Sequence, residues 1–211
     1  VGVARGKLMA VYAARFKDSS KDHLVISIEG ARTWTLARFV RDSPVHPGPF
    51  ISLPEDDTTR IRVGHKEIAM RIQTTLADYV PQQVAGGVRD IILVGHSQGG
   101  SVAEMLGVAY QLQYPAVRVS VRAFNQPRSG NPRWAGVVES QLGDRFSFAV
   151  RTNDRTARSP SSPLFWAHPA GEVYLPVGAA ENGWVTCPGR ENPKCLNAYK
   201  GDTEPAADGD P

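Results

Sequence analysis

Long apolar runs are missing from this sequence: nothing in it approaches the roughly 18 residues of a membrane span, so no transmembrane segment is expected. Cysteine is scarce, with 2 in 211 residues. Two thiols do not make a zinc site, and no further ligands of the right type stand near them, so no metal is expected. Dense basic tracts with interleaved aromatics are lacking as well. The 24 Lys and Arg residues are scattered and the net charge is +3, which argues against a nucleic-acid partner. The mildly basic balance, with a pI of 9.0, leaves room for weak attraction to an anionic lipid surface. There is no recognisable signal peptide and no initiating Met; a chain starting at Val1 reads as a processed product or a fragment. Internal repeats are absent too. What is there is an ordinary globular composition, 41% hydrophobic and 21% charged, at a length suited to one α/β domain.

Strand and helix signals alternate along the chain. Residues 8–16 and 24–28 read as strands separated by a polar turn. Prolines at 44, 47, 49 and 54 mark residues 42–57 as a surface loop. Helical spacing returns over 66–80 through Ile68, Ile72, Leu76 and Val80. Ile91-Ile92-Leu93-Val94 is a short apolar run of the kind buried in parallel sheets. A helix is predicted over 98–113, a strand over 117–124, a helix over 132–141 and a strand over 145–151. Beyond Thr152 the chain reads mostly as loop, with a strand at 172–175 and a frayed tail. This alternation predicts a mostly parallel sheet covered by helices on both faces.

The most informative stretch joins that buried run to the helix after it: Gly95-His96-Ser97-Gln98-Gly99-Gly100. A Gly-x-Ser-x-Gly pattern between strand and helix makes a sharp turn on which only small neighbours let the two elements approach. The serine hydroxyl then stands at a helix N-terminus, where backbone N–H groups can stabilise an oxyanion. Ser97 is the candidate nucleophile. His96 is its neighbour on the same tight turn and reads as a packing residue rather than a base. Near the C-terminus, the proline and glycine between Cys187 and Cys195 suit a closed surface loop, as a disulfide or as two free thiols. A disulfide would favour secretion.

Four blocks resemble the fungal-type class 3 lipases, a family that includes feruloyl esterases. They are Gly95–Gly100, the segment Phe124-Asn125-Gln126-Pro127-Arg128-Ser129-Gly130-Asn131-Pro132, the segment from Asn153 to Pro160, and His168-Pro169-Ala170-Gly171-Glu172-Val173-Tyr174. The resemblance implies a single α/β-hydrolase domain over 1–211, without the family's N-terminal helix and extreme C-terminus. It implies Asp154 as the triad acid, and an oxyanion hole from the N–H groups of Gln98 and Ala31. Relatives usually carry Leu where Gln98 stands, and Ser or Thr where Ala31 stands. Trp34, Leu36 and Phe39 fall where the family places its lid helix. The implied activity is hydrolysis of a carboxylic ester by a secreted enzyme through an acyl-enzyme on Ser97, without cofactor. A triacylglycerol-type lipid is the expected substrate, met through transient contact with a lipid interface. A feruloyl ester, or a catalytically inactive binding protein of this fold, is the alternative.

The general base is the departure. Relatives take it from a histidine beyond the cysteine loop, and no histidine follows His168 here. Either the chain ends short of its base or His168 serves, although the matching residue in relatives is not catalytic. His23, His46 and His65 precede the nucleophile and are poor candidates.

Overall fold

Short β-branched and apolar runs become the strands of one central sheet. The structure, a computed structural model, describes residues 2–5, 10–17, 21–31, 44–51, 58–160, 165–179 and 183–198. The strands are β1 (Gly2–Arg5), β2 (Ala10–Lys17), β3 (Asp22–Ile28), β4 (Pro44–Val45), β5 (Ile61–Arg62), β6 (Asp90–His96), β7 (Arg118–Phe124), β8 (Phe146–Arg151), β9 (Glu172–Leu175) and β10 (Val185–Thr186). Eight of them form a sheet in the order β1-β2-β3-β6-β7-β8-β9-β10, while β4 and β5 pair separately. From β3 to β9 each neighbour is parallel. The outer pairs β1–β2, β2–β3 and β9–β10 are antiparallel. With helices α1 (Val63–Thr75), α2 (Tyr79–Ala85), α3 (Gln98–Gln113) and α4 (Pro132–Leu142) flanking it, the mostly parallel sheet has the α/β-hydrolase architecture.

One side of the strands supplies the core. Leu24, Ile26 and Ile28 of β3, Ile91 and Leu93 of β6, Val119 and Val121 of β7, and Phe146 and Phe148 of β8 are all buried. Helix α3 packs on β6 and β7, and on α1 and α4. It is buried from Gln98 to Tyr110, which explains why its sequence is apolar on more than one face.

The helical spacing over 66–80 resolves into two helices rather than one. Pro81 cannot donate a backbone hydrogen bond and its ring would crowd the carbonyl of residue 77, so a continuous helix is blocked there. The chain breaks at Leu76–Asp78, and Val80 N–H bonds Leu76 O at the junction. Strand β10 carries no alternating pattern in its two exposed residues and was not foreseen.

Parallel pairing has one consequence for function. Strands β3, β6, β7 and β8 all end at the same sheet edge, so Gly30–Ala31, Ser97, Asn125 and Asp154 gather there. Ligands of open α/β sheets are held at this carboxyl edge.

Candidate active site

Ser97 sits between β6 and α3 at φ 54° and ψ −128°. Positive φ is rare for a residue with a side chain, and it is held here by neighbours on both sides. Ser97 N–H donates to Phe124 O at 2.8 Å, and Ser97 O accepts from Gly100 N–H at 2.9 Å. The two flanking glycines make the turn possible. A Cβ on Gly95 would lie 2.2 Å from Gly99 O, and one on Gly99 would lie 2.4 Å from Ile28 O.

The loop after β3 runs directly over this turn. A Cβ on Gly30 would come within 3.2 Å of Ser97 Cβ and 3.0 Å of His96 O. Ala31 therefore follows a residue packed on the nucleophile. Gln98 opens α3, and its N–H is among those that no helix satisfies internally. The Gln98 side chain is buried, and its Nε2 has no hydrogen-bond partner. Trp34, Leu36 and Phe39 lie outside the described residues.

Asp154 follows β8 at the same edge and is half-buried. Its Oδ1 accepts the Ala157 N–H at 3.0 Å, so the carboxylate closes a tight turn over 154–157. The structure therefore brings Ser97, Gln98, Ala31 and Asp154 to one edge of the sheet.

His168 is placed differently from the expectation that it serves as base. Its ring is buried and stacked on Phe148, with centroids 4.5 Å apart. Its Nε2 lies 2.7 Å from Ala157 O. A carbonyl only accepts, so Nε2 carries the proton and donates it there. Nδ1 is buried without a partner. Burial, followed by the nearby Arg128 charge, lowers its pKa to about 4. In this arrangement His168 buttresses the Asp154 turn from behind. His65 is likewise buried, with its pKa held well below the usual imidazole range by desolvation. All five histidines are among the described residues, and none of the five hydrogen-bonds Ser97.

Cys187 and Cys195 form a disulfide. Their sulfurs and the Glu172 carboxylate make the single cluster with metal-ligand spacing among the described residues. With the sulfurs joined, one carboxylate remains to offer, and it already accepts the Leu196 N–H.

Comparison with known proteins bears on the whole arrangement. The class 3 lipase family matches residues 25–163. The chain belongs to the class 3 lipase family. It is 31% identical over 105 residues to the secreted mono- and diacylglycerol lipase 3 of Gibberella zeae, covering 49% of this chain and 32% of that protein. Over 192 residues it is 28% identical to a secreted mono- and diacylglycerol lipase of Malassezia restricta, covering 90% of this chain and 64% of the relative. The triacylglycerol lipase of Penicillium expansum superposes with a TM-score of 0.78 at 20% identity, over 94% of this chain and 77% of that one. The chain thus spans from about a third to under two thirds of the length of these two curated relatives.

Two acids of this chain, Glu104 fully buried and Glu191 partly so, were not foreseen from its sequence. Glu104 on α3 is fully buried and accepts from Gln126 Nε2 at 2.8 Å, Trp134 Nε1 at 2.6 Å and the Ser129 hydroxyl. Desolvation raises its pKa to about 7 against those three donors. Glu191, inside the disulfide loop, is held down to about 2, mainly by Arg128, despite the opposing effect of burial. A carboxylate at helical spacing normally reads as a solvated face; its partners here come from segments 22 to 30 residues away.

A pH dependence of stability follows. From the ordinary Glu value of 4.5 up to about 7, folded Glu104 keeps a proton that the unfolded chain has released. Stability from this group is complete below pH 4.5 and falls as pH rises through 7, by about 3 kcal/mol for a shift of this size. His168 acts oppositely: its contribution is complete above pH 6.5 and is lost as pH falls towards 4. In Glu104→Gln the decline between pH 4.5 and 8 should shrink by about 3 kcal/mol, measured by urea unfolding. The Gln126 amide can turn its unpaired Oε1 towards the new side chain.

Proposed function

We propose that this chain carries the catalytic machinery of a secreted serine carboxylic-ester hydrolase acting on acylglycerols. The observation that carries the reading is the strained Ser97 turn, with Asp154 and the Gly30–Ala31 loop at the same sheet edge. Ser97 Oγ attacks the ester carbonyl, and its proton passes to a histidine base oriented by Asp154. The N–H groups of Gln98 and Ala31 face the developing oxyanion. Collapse expels the alcohol and leaves an acyl-enzyme on Ser97, which water then hydrolyses. Ala31 lacks the hydroxyl of the family pattern, so the backbone donors alone do this work. The acylglycerol class is favoured by the names of the curated relatives, which specify mono- and diacylglycerols, and the solved triacylglycerol lipase extends it to the fully acylated lipid. Secretion is supported by the disulfide and by the naming of the same curated relatives as secreted.

The test is hydrolysis of p-nitrophenyl butyrate, diolein and triolein, run on residues 1–211 and, beside it, on the whole product of the gene. Ser97-dependent turnover is expected from the whole product. Turnover by residues 1–211 as well would place the base among their five histidines. No turnover by either, from folded samples, overturns the hydrolase reading and leaves a non-catalytic member of the fold.

A further inference from the structure

The most specific motif in the sequence, Gln126-Pro127-Arg128-Ser129-Gly130, supplies no group to the chemistry above. Its arginine is nonetheless bonded through every donor of its side chain. Arg128 has 3% side-chain exposure, and all five of its guanidinium N–H donors are used. Nε and Nη2 form a fork on the two carboxylate oxygens of Glu191, at 2.8 and 2.7 Å. Nη1 donates to Arg158 O at 2.8 Å and to Pro160 O at 2.9 Å. Nη2 also reaches Asn197 Oδ1 at 3.1 Å. The backbone N–H of Arg128 takes the carbonyl between those two, Ser159 O, at 2.8 Å. One residue therefore binds three consecutive carbonyls of the segment that follows Asp154.

The network closes on Asp154 from the other side. Glu191 Oε1 accepts the His168 backbone N–H at 2.6 Å. The His168 ring donates to Ala157 O, and Ala157 N–H donates to the Asp154 carboxylate. Asp154 is thus held by a turn whose far end is fixed directly by Arg128 and whose middle is fixed through Glu191 and His168.

We propose that Arg128 is the positioning residue of Asp154, acting through its fork with Glu191 and its grip on residues 158–160. The inference rests on the reading of Asp154 as the triad acid. A lysine keeps the charge but offers no planar fork and cannot span two carbonyls, a carboxylate and an amide together.

The variants are Arg128→Lys and Glu191→Gln, which remove the fork from either side. The readout independent of catalysis is amide exchange by NMR. Ala157 N–H reports the Asp154 carboxylate itself, and its exchange should rise at least tenfold in both variants. Amides of Leu93 and Val121 in the central strands should change less than twofold. Unchanged protection at Ala157, or an equal rise at all three, overturns the proposal.

The second readout is ester hydrolysis by whichever form of the protein turns over. In Arg128→Lys, kcat should fall at least tenfold with KM within twofold. The acid limb of kcat/KM should move to lower pH, because a displaced Asp154 no longer stabilises the protonated base. A proportional loss at every pH would indicate only less folded protein and would count against positioning. If the wild type is inactive throughout, the hydrolase reading fails, and the Ala157 exchange alone decides whether Arg128 holds the turn.

Discussion

Gly99→Ala is expected to cost more than about 4 kcal/mol, or to leave no folded protein at all. The added Cβ would stand 2.4 Å from Ile28 O and 2.5 Å from Glu29 O, where α3 crosses the end of β3. Overpacking in a core usually costs about 1–3 kcal/mol because a side chain can rotate aside. Here both obstacles are backbone atoms at the end of a strand paired along its length with β6. Gly95→Ala meets the same difficulty from the opposite side, 2.4 Å from Gly99 C. A control separates this from the ordinary penalty of replacing glycine. Gly178 lies at φ +73° with nothing within 4 Å of an added Cβ, so Gly178→Ala should cost only about 1–2 kcal/mol. Urea denaturation of the variants measures both. Equal costs at positions 99 and 178 would mean that the close approach at the elbow is not what the glycine serves.

That approach has chemical value as well as structural value. Gly99 lets α3 lie against residues 28–29, and the next residue, Gly30, then packs on Ser97. The separation of helix from strand that would admit a methyl group would also shift the Gly30–Ala31 loop relative to the elbow that carries Ser97. The glycine pattern thus couples the stability of the elbow to the oxyanion geometry proposed for it.

This coupling is local in sequence, which is why it was legible there. The glycines at 95 and 99, the buried run before them and the helix after them all lie within a few residues of Ser97, and the helix begins and ends at the predicted residues. The location of Asp154 follows the same logic, since it comes three residues after β8 and a parallel sheet puts every strand's end on one side. What the sequence did not disclose depends on distant partners. Arg128 meets Glu191 across 63 positions and Pro160 across 32, and no periodicity connects them. Glu104 lies on a helix whose surroundings hide it on every side, so its spacing carries no mark of burial. His168 could be read as a base because only its chain order was visible. Its ring hydrogen bond to Ala157 O, which occupies the nitrogen that a base would need, is a property of the folded loop.

Ser97→Ala should lower kcat of the active protein by about 10⁶-fold, and Asp154→Ala by about 10⁴-fold. The ranking follows from what each group does. Without the hydroxyl there is no acyl-enzyme, and catalysis falls to what binding and the oxyanion donors give alone. Without the carboxylate the nucleophile and base remain, but the base loses its orientation and the partner for its positive charge. His168→Gln tests the third assignment. With the imidazole donating to Ala157 O, its replacement by an amide that can donate to the same carbonyl should leave kcat within about tenfold of the wild type, well short of the loss for the nucleophile. Part of any change should appear as weaker protection of the Ala157 amide, because His168 acts on Asp154 through that residue. A loss in His168→Gln as deep as in Ser97→Ala would reverse the assignment. It would require the ring to leave Ala157 O and the stack on Phe148 during turnover, so the state described here would be a resting arrangement that opens before the serine can react.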